Sequence, residues 1–170
     1  MRKFLHLLLI CAFFLTSCKR SSDYDPTIIG SNDRPFAIET MQKIITALDE
    51  KDSEALAALF SEDARENYDI DEQIEKAFEY YNGKSVTSVE DVDSCGNAST
   101  HIKDGLYKNK SIRFKLYNME TDAGQSYTLD VIYVLVDEDN PSRIGLSKIY
   151  FKDPEDNVGF ELAIGANLKE

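Results

Sequence analysis

The sequence predicts an α+β domain in which three N-terminal helices pack on an antiparallel meander sheet. Three observations carry this reading. Up to about residue 81 the apolar residues recur at spacings of three and four, as on one face of a helix. At Asn82-Gly83 the pattern changes to the alternation of strands. The later apolar runs are separated by short turns, and strands joined by short turns are antiparallel neighbours.

The first helix opens at Pro35, a residue suited to a first helical turn, and carries Ile38, Met41, Ile44, Ile45 and Leu48 on one face before ending near Asp49. After the polar break Asp49 to Asp52, a short second helix holds Ala55, Leu56, Leu59 and Phe60, with Asp52 or Ser53 as N-cap. The third starts at Asp69-x-x-Glu72, a capping-box-like spacing. It aligns Ile70, Ile74, Ala77, Phe78 and Tyr81, then stops at Asn82-Gly83. Strands are expected at Ser85 to Val89, around Thr100 to Lys103, at Ser111 to Met119, Tyr127 to Val136, Arg143 to Lys152 and Val158 to Ile164. Asp104-Gly105 reads as a tight hairpin turn.

Ahead of the domain lies a targeting segment. Arg2 and Lys3 are basic, Leu7 to Leu15 is apolar without a break, and Leu15-Thr16-Ser17-Cys18 follows. The run is too short to span a bilayer, which takes roughly 20 apolar residues. This order resembles the lipobox of bacterial lipoproteins. The resemblance implies cleavage between Ser17 and Cys18, a diacylglyceryl group on Cys18, and attachment at the extracytoplasmic face of the cell membrane, where two acyl chains hold durably. The expected organisation is therefore a signal peptide over 1–17, a lipidated cysteine and tether over 18–33, and one domain over 34–170. Within the tether, Tyr24 and Thr27-Ile28-Ile29 are apolar enough to lie in part against the folded body.

Charge narrows the function. The chain has 19 basic and 31 acidic residues; removing Arg2 and Lys3 with the signal leaves 17 against 31, a formal charge of −14. Such a surface is repelled by nucleic acid, which is excluded as a partner, so membrane contact is expected through the lipid and not through a basic face. With Cys11 lost and Cys18 modified, Cys95 has no intramolecular disulfide partner, and without an adjacent histidine or basic pair it reads as a structural residue. His101, the one histidine left after processing, does not make a metal site. The acidic turns Asp137 to Asn140 and Asp153 to Asn157 lack EF-hand spacing and belong at opposite ends of the sheet, roughly 30 Å apart, so they read as solubilising turns. No cofactor or metal is expected.

The run from Ile44 to Ser61, with its charged break and its Ala55-Leu56 to Leu59-Phe60 segment, resembles the opening helix pair of nuclear-transport-factor-2-like (cystatin-like) domains. Asp71-Glu72-Gln73-Ile74, Ile102-Lys103-Asp104-Gly105 and the Asn140-Pro141 to Gly145-Leu146 segment resemble a group of bacterial lipoproteins known as domain of unknown function 5104. The resemblance implies a curved sheet closing with the helices into a cone, and it brings no assigned catalytic residues. Two functions follow. The first is a non-enzymatic, membrane-anchored module that binds a small molecule or another envelope protein. The alternative is an isomerase or dehydratase with Asp130 as base and Tyr133 supplying a hydroxyl inside the cone. Alternation sets Asp130 with Ile132, Val134 and Val136, and Tyr133 on the opposite face with Leu129 and Val131; either face qualifies as the inner one. Tyrosines 80, 81, 107, 117, 127, 133 and 150 fill core or line a surface. Apolar residues on both sheet faces also raise the expectation of a homodimer through the open face.

Overall fold

A computed structural model describes residues 24–152 and 162–165. The signal segment, Cys18, the acidic turn 153–157 and residues 158–161 of the last expected strand lie outside the described residues. Among the described residues, four α-helices precede one sheet: α1 (Arg34–Glu50), α2 (Ser53–Ala57), α3 (Glu62–Asn67) and α4 (Ile70–Tyr80). The sheet runs β1 (Asp93–Lys103), β2 (Leu106–Glu120), β3 (Ser126–Asp137), β4 (Gly145–Lys152) and β5 (Leu162–Ile164), each strand antiparallel to the next and in chain order.

This α+β arrangement corrects the expected three helices on a nuclear-transport-factor-2-like cone. A fourth helix, α3, occupies a stretch with only Ala64 buried. It forms on end effects: Ser61 Oγ accepts from Ala64 N at 3.2 Å, Glu62 and Asp63 lie in the first turn and Arg65 in the last. In place of an open cone, side chains fill the space between helices and sheet. Met41, Ile44 and Leu48 of α1, Leu56 of α2 and Ile74 of α4 are fully buried in one cluster with Phe114, Leu116, Leu129, Val131, Ile149 and Phe151.

Two strand expectations also change. Ser85 to Val89 forms no strand ladder: Ser85 bridges Thr121, Val86 N donates to Glu120 O and Glu120 N to the Thr87 hydroxyl, and the chain then turns at Val89–Asp91. β1 instead starts at Asp93, through a polar stretch whose edge position needs no apolar alternation. The expected caps form: Asp52 accepts from Ala55 N at 2.9 Å, and Asp69 from Glu72 N at 3.2 Å. Asp104 and Gly105, both at positive φ, make the two-residue turn between β1 and β2.

Helices and sheet are clipped together at β4. Ser61 N donates to Leu146 O and Leu146 N to Leu59 O, each at 2.9 Å. Gly145 makes this approach feasible, because at its φ of 137° a Cβ would stand 2.8 Å from the Ser61 Cα. Gly145→Ala should therefore lower stability by about 1–3 kcal/mol. A melting temperature equal to that of the wild type would show that the clip yields without cost.

Candidate functional site

The alternation that sends Leu129 and Val131 toward the helices sends Asp130 to the other face of the sheet, away from the core. There Asp130 is fully buried beneath side chains of the neighbouring strands. Arg113 of β2 holds it with a fork, Nε donating to Oδ1 at 2.6 Å and a second guanidinium nitrogen donating to Oδ2. The Lys152 Nζ of β4 lies 2.9 Å from Oδ2, and the Lys115 Nζ of β2 lies 3.7 Å away. Burial pushes the Asp130 carboxyl up, but the hydrogen bonds from Arg113 and Lys152 outweigh it and hold the group below the usual carboxylate value.

Among the described residues this outer face carries Arg113, Lys115, Lys148 and Lys152 against Asp130 and Asp93, the latter across from Lys115. Arg113 keeps 39% of its side chain exposed. The Lys115 ammonium sits 5.6 Å from the ring centre of exposed Tyr117. Sequence reasoning singled out Asp130 but missed its cationic partners. Their signal is basic residues at two- and four-residue spacing, Arg113-x-Lys115 and Lys148-x-x-x-Lys152, which marks the outward face of a strand.

Asp130 and Tyr133 are not brought together. Tyr133 packs edge-on against Phe36 of α1, with ring centres 4.9 Å apart, and its burial pushes the phenol up. A carboxylate engaged on both oxygens is a poor proton acceptor at neutral pH, and the tyrosine opposite it in the sheet register is Tyr150 of β4, not Tyr133. The arrangement suits charge pairing better than proton transfer.

The other singled-out tyrosines are largely structural. Tyr81 OH donates to Asp49 at 2.5 Å, and Tyr127 OH donates to Tyr80 O at 3.1 Å while accepting from Asn82 N. His101 is exposed in β1, paired with Asn109. Asp137 organises its turn, accepting from Asn140 N and pairing with Arg143 at 3.2 Å. Among the described residues no cluster of three histidine, cysteine or acidic side chains has metal-binding geometry, and no helix is long and apolar enough to cross a membrane. A shallow groove of about 680 Å³ runs outside α1, between Pro35, Ile38, Gln42 and Val89. Its cations are engaged, Arg34 with Val92 O and Glu90 O and Lys43 with Glu39.

Residues 43–159 match the family described as domain of unknown function (DUF5104). The chain belongs to this family. No curated protein matches it. The DUF5104 match runs from the second half of α1 to β4 and includes the Arg113, Asp130 and Lys152 cluster; residues 24–42, which include the first nine residues of α1, lie outside it.

Because its folded value is depressed, Asp130 contributes stability that is present above the ordinary carboxylate value and lost as pH falls through the folded one. Asp130→Asn should cost about 1–3 kcal/mol near neutral pH, since hydrogen bonds to a charged group are removed while the cations stay clustered. Below about pH 4 the difference from wild type should shrink. Parallel urea titrations across pH check this, and a difference independent of pH would refute the ionised reading.

Proposed function

We propose that this DUF5104 protein is a lipid-anchored component of the cell envelope, held by Cys18 at the extracytoplasmic face of the membrane, whose domain acts by binding and not by turnover. The ligand is a small molecule or another envelope protein. The anchor half of the reading is supported by the order of basic start, apolar run and Leu15-Thr16-Ser17-Cys18.

The binding half is supported above all by the state of Asp130. The acid set into the middle of the sheet is committed to Arg113 and Lys152, whereas a general base needs a carboxylate poised near neutrality. The face around it also carries the partly exposed Arg113 and the exposed ring of Tyr117, residue types enriched at interfaces.

In the native host, the wild-type chain should fractionate with membranes and carry the added mass of a lipidated, cleaved terminus. Cys18→Ala should be released from membranes and lack that mass. Identical fractionation and mass for the two chains would overturn the anchor.

A further inference from the structure

The expected tether over 18–33 lies in part against the folded body, as its apolar residues Tyr24 and Thr27-Ile28-Ile29 suggest. From Tyr24 onward the segment is bound to the domain: Tyr24 OH donates to Asp33 at 2.6 Å, Tyr107 N donates to Thr27 O at 2.9 Å, and Ile28 bridges Leu106 at the start of β2. Between Cys18 and Tyr24 stand five residues, Lys19 to Asp23, which reach at most about 20 Å even when fully extended. A lipid on Cys18 therefore keeps this corner of the domain close to the bilayer.

The same corner carries a concentration of exposed large apolar side chains. Ile28 is 51% exposed, Ile29 49%, Ile102 48% and Leu106 41%. Ile28 and Leu106 are bridge partners, and Ile102 pairs with Tyr107 one step from the Asp104-Gly105 turn, so the four surround one hairpin tip. The local charge is small, with Lys103 across from Leu106 against Asp104 next to it and Asp25 beside Thr27, in a chain whose net charge is −12. An acidic protein meets headgroups with least repulsion at such a place.

We infer that the β1–β2 hairpin tip, together with Ile28 and Ile29, seats in the headgroup region of the bilayer, so that the domain stands on the membrane in a fixed orientation. The inference rests on the lipid anchor proposed above and adds a second, apolar contact to it. Ile102, Leu106, Ile28 and Ile29 supply the inserting surface, and the short link from Cys18 raises its local concentration at the interface.

The chain has no tryptophan, so one introduced indole reports its own surroundings. Ile102→Trp places it at the tip. Val86→Trp places it at an exposed site beside Glu120 and Thr121, the far end of β2, about 40 Å along the strand. Both proteins, purified from membranes in their lipidated form, are reconstituted into phosphatidylethanolamine–phosphatidylcholine vesicles whose phosphatidylcholine is either brominated or not. The tip indole should emit further to the blue and lose roughly half its intensity to the brominated lipid, while the Val86 site stays unquenched. Adding Leu106→Asp to Ile102→Trp should return the emission to that of a watery site. Equal, weak quenching at both sites in protein that floats with the vesicles would overturn the docking while leaving the anchor standing. Protein that does not float removes anchor and docking together. A blue shift that grows with protein concentration, without quenching by lipid, assigns the tip to a second copy of the chain and also overturns the proposal.

Discussion

A buried lysine organises the N-terminal half of the molecule. Lys110 of β2 is 1% exposed, and its ammonium lies 2.8 Å from Asp33, 2.9 Å from Ser31 Oγ and 4.8 Å from the centre of the Tyr107 ring. A charge so removed from water persists only with partners, and here all of them come from the segment leading into α1 or from β2 itself. The pair thereby welds that segment to the sheet across 77 residues of chain. It also explains an oddity of α1. Asp33 occupies the N-cap position yet makes no side-chain cap, because its carboxylate already receives Lys110, Tyr24 and Ser31. Pro35 in the first turn lessens the loss, having no N–H to satisfy.

The second organising constraint is that the helices lie on the Leu129 and Val131 face of the sheet. The central strand must then end its other face in something that tolerates water. β3 does so with an acid in place of another aliphatic residue, and Arg113, Lys115 and Lys152 close over it until it is itself fully buried. The aliphatic stems of these cations lie over the sheet while their charged heads point to the carboxylate and the solvent. One ionised group thus fixes three long side chains into a defined surface, which an all-aliphatic strand would leave to fluctuate.

The parts legible in the sequence are those where one face is apolar and the other is not. α1 and α4 show this through Met41, Ile44, Leu48 and Ile70, Ile74, Ala77, and their neighbours Asp52 and Asp69 announce the helix starts. α3 was invisible because its single buried side chain, Ala64, leaves no periodicity to detect. The opening half of β1 was missed for a similar reason: an edge strand facing solvent carries no alternation, and its register slips between Ser94 and Asn97 and again before Ser99. Ser85 to Val89 has strand composition but finds only Glu120 and Thr121 to pair with, so composition outran the available partner.

The face of Asp130 was undecidable for a more specific reason. Val131 to Val136 is apolar at every position, and the register against β4 shifts between Ile132 and Tyr133, so that Leu135 and Val136 both join the core. Alternation counted from one end of such a strand therefore fails at the other. Register settles the matter: Lys115 stands opposite Asp130 on one side and Tyr150 on the other, a pairing that emerges only once the turn at residues 121–125 fixes how β2 meets β3. The same register gives the charged face its place relative to the chain's N-terminal strap. Asp130 lies seven residues from Asp137, the β3 residue paired with Asn109 near the strapped end, a separation of about 20 Å along the strand. In the docking proposed above, that separation sets the Arg113 and Lys152 surface apart from the seated end of the domain.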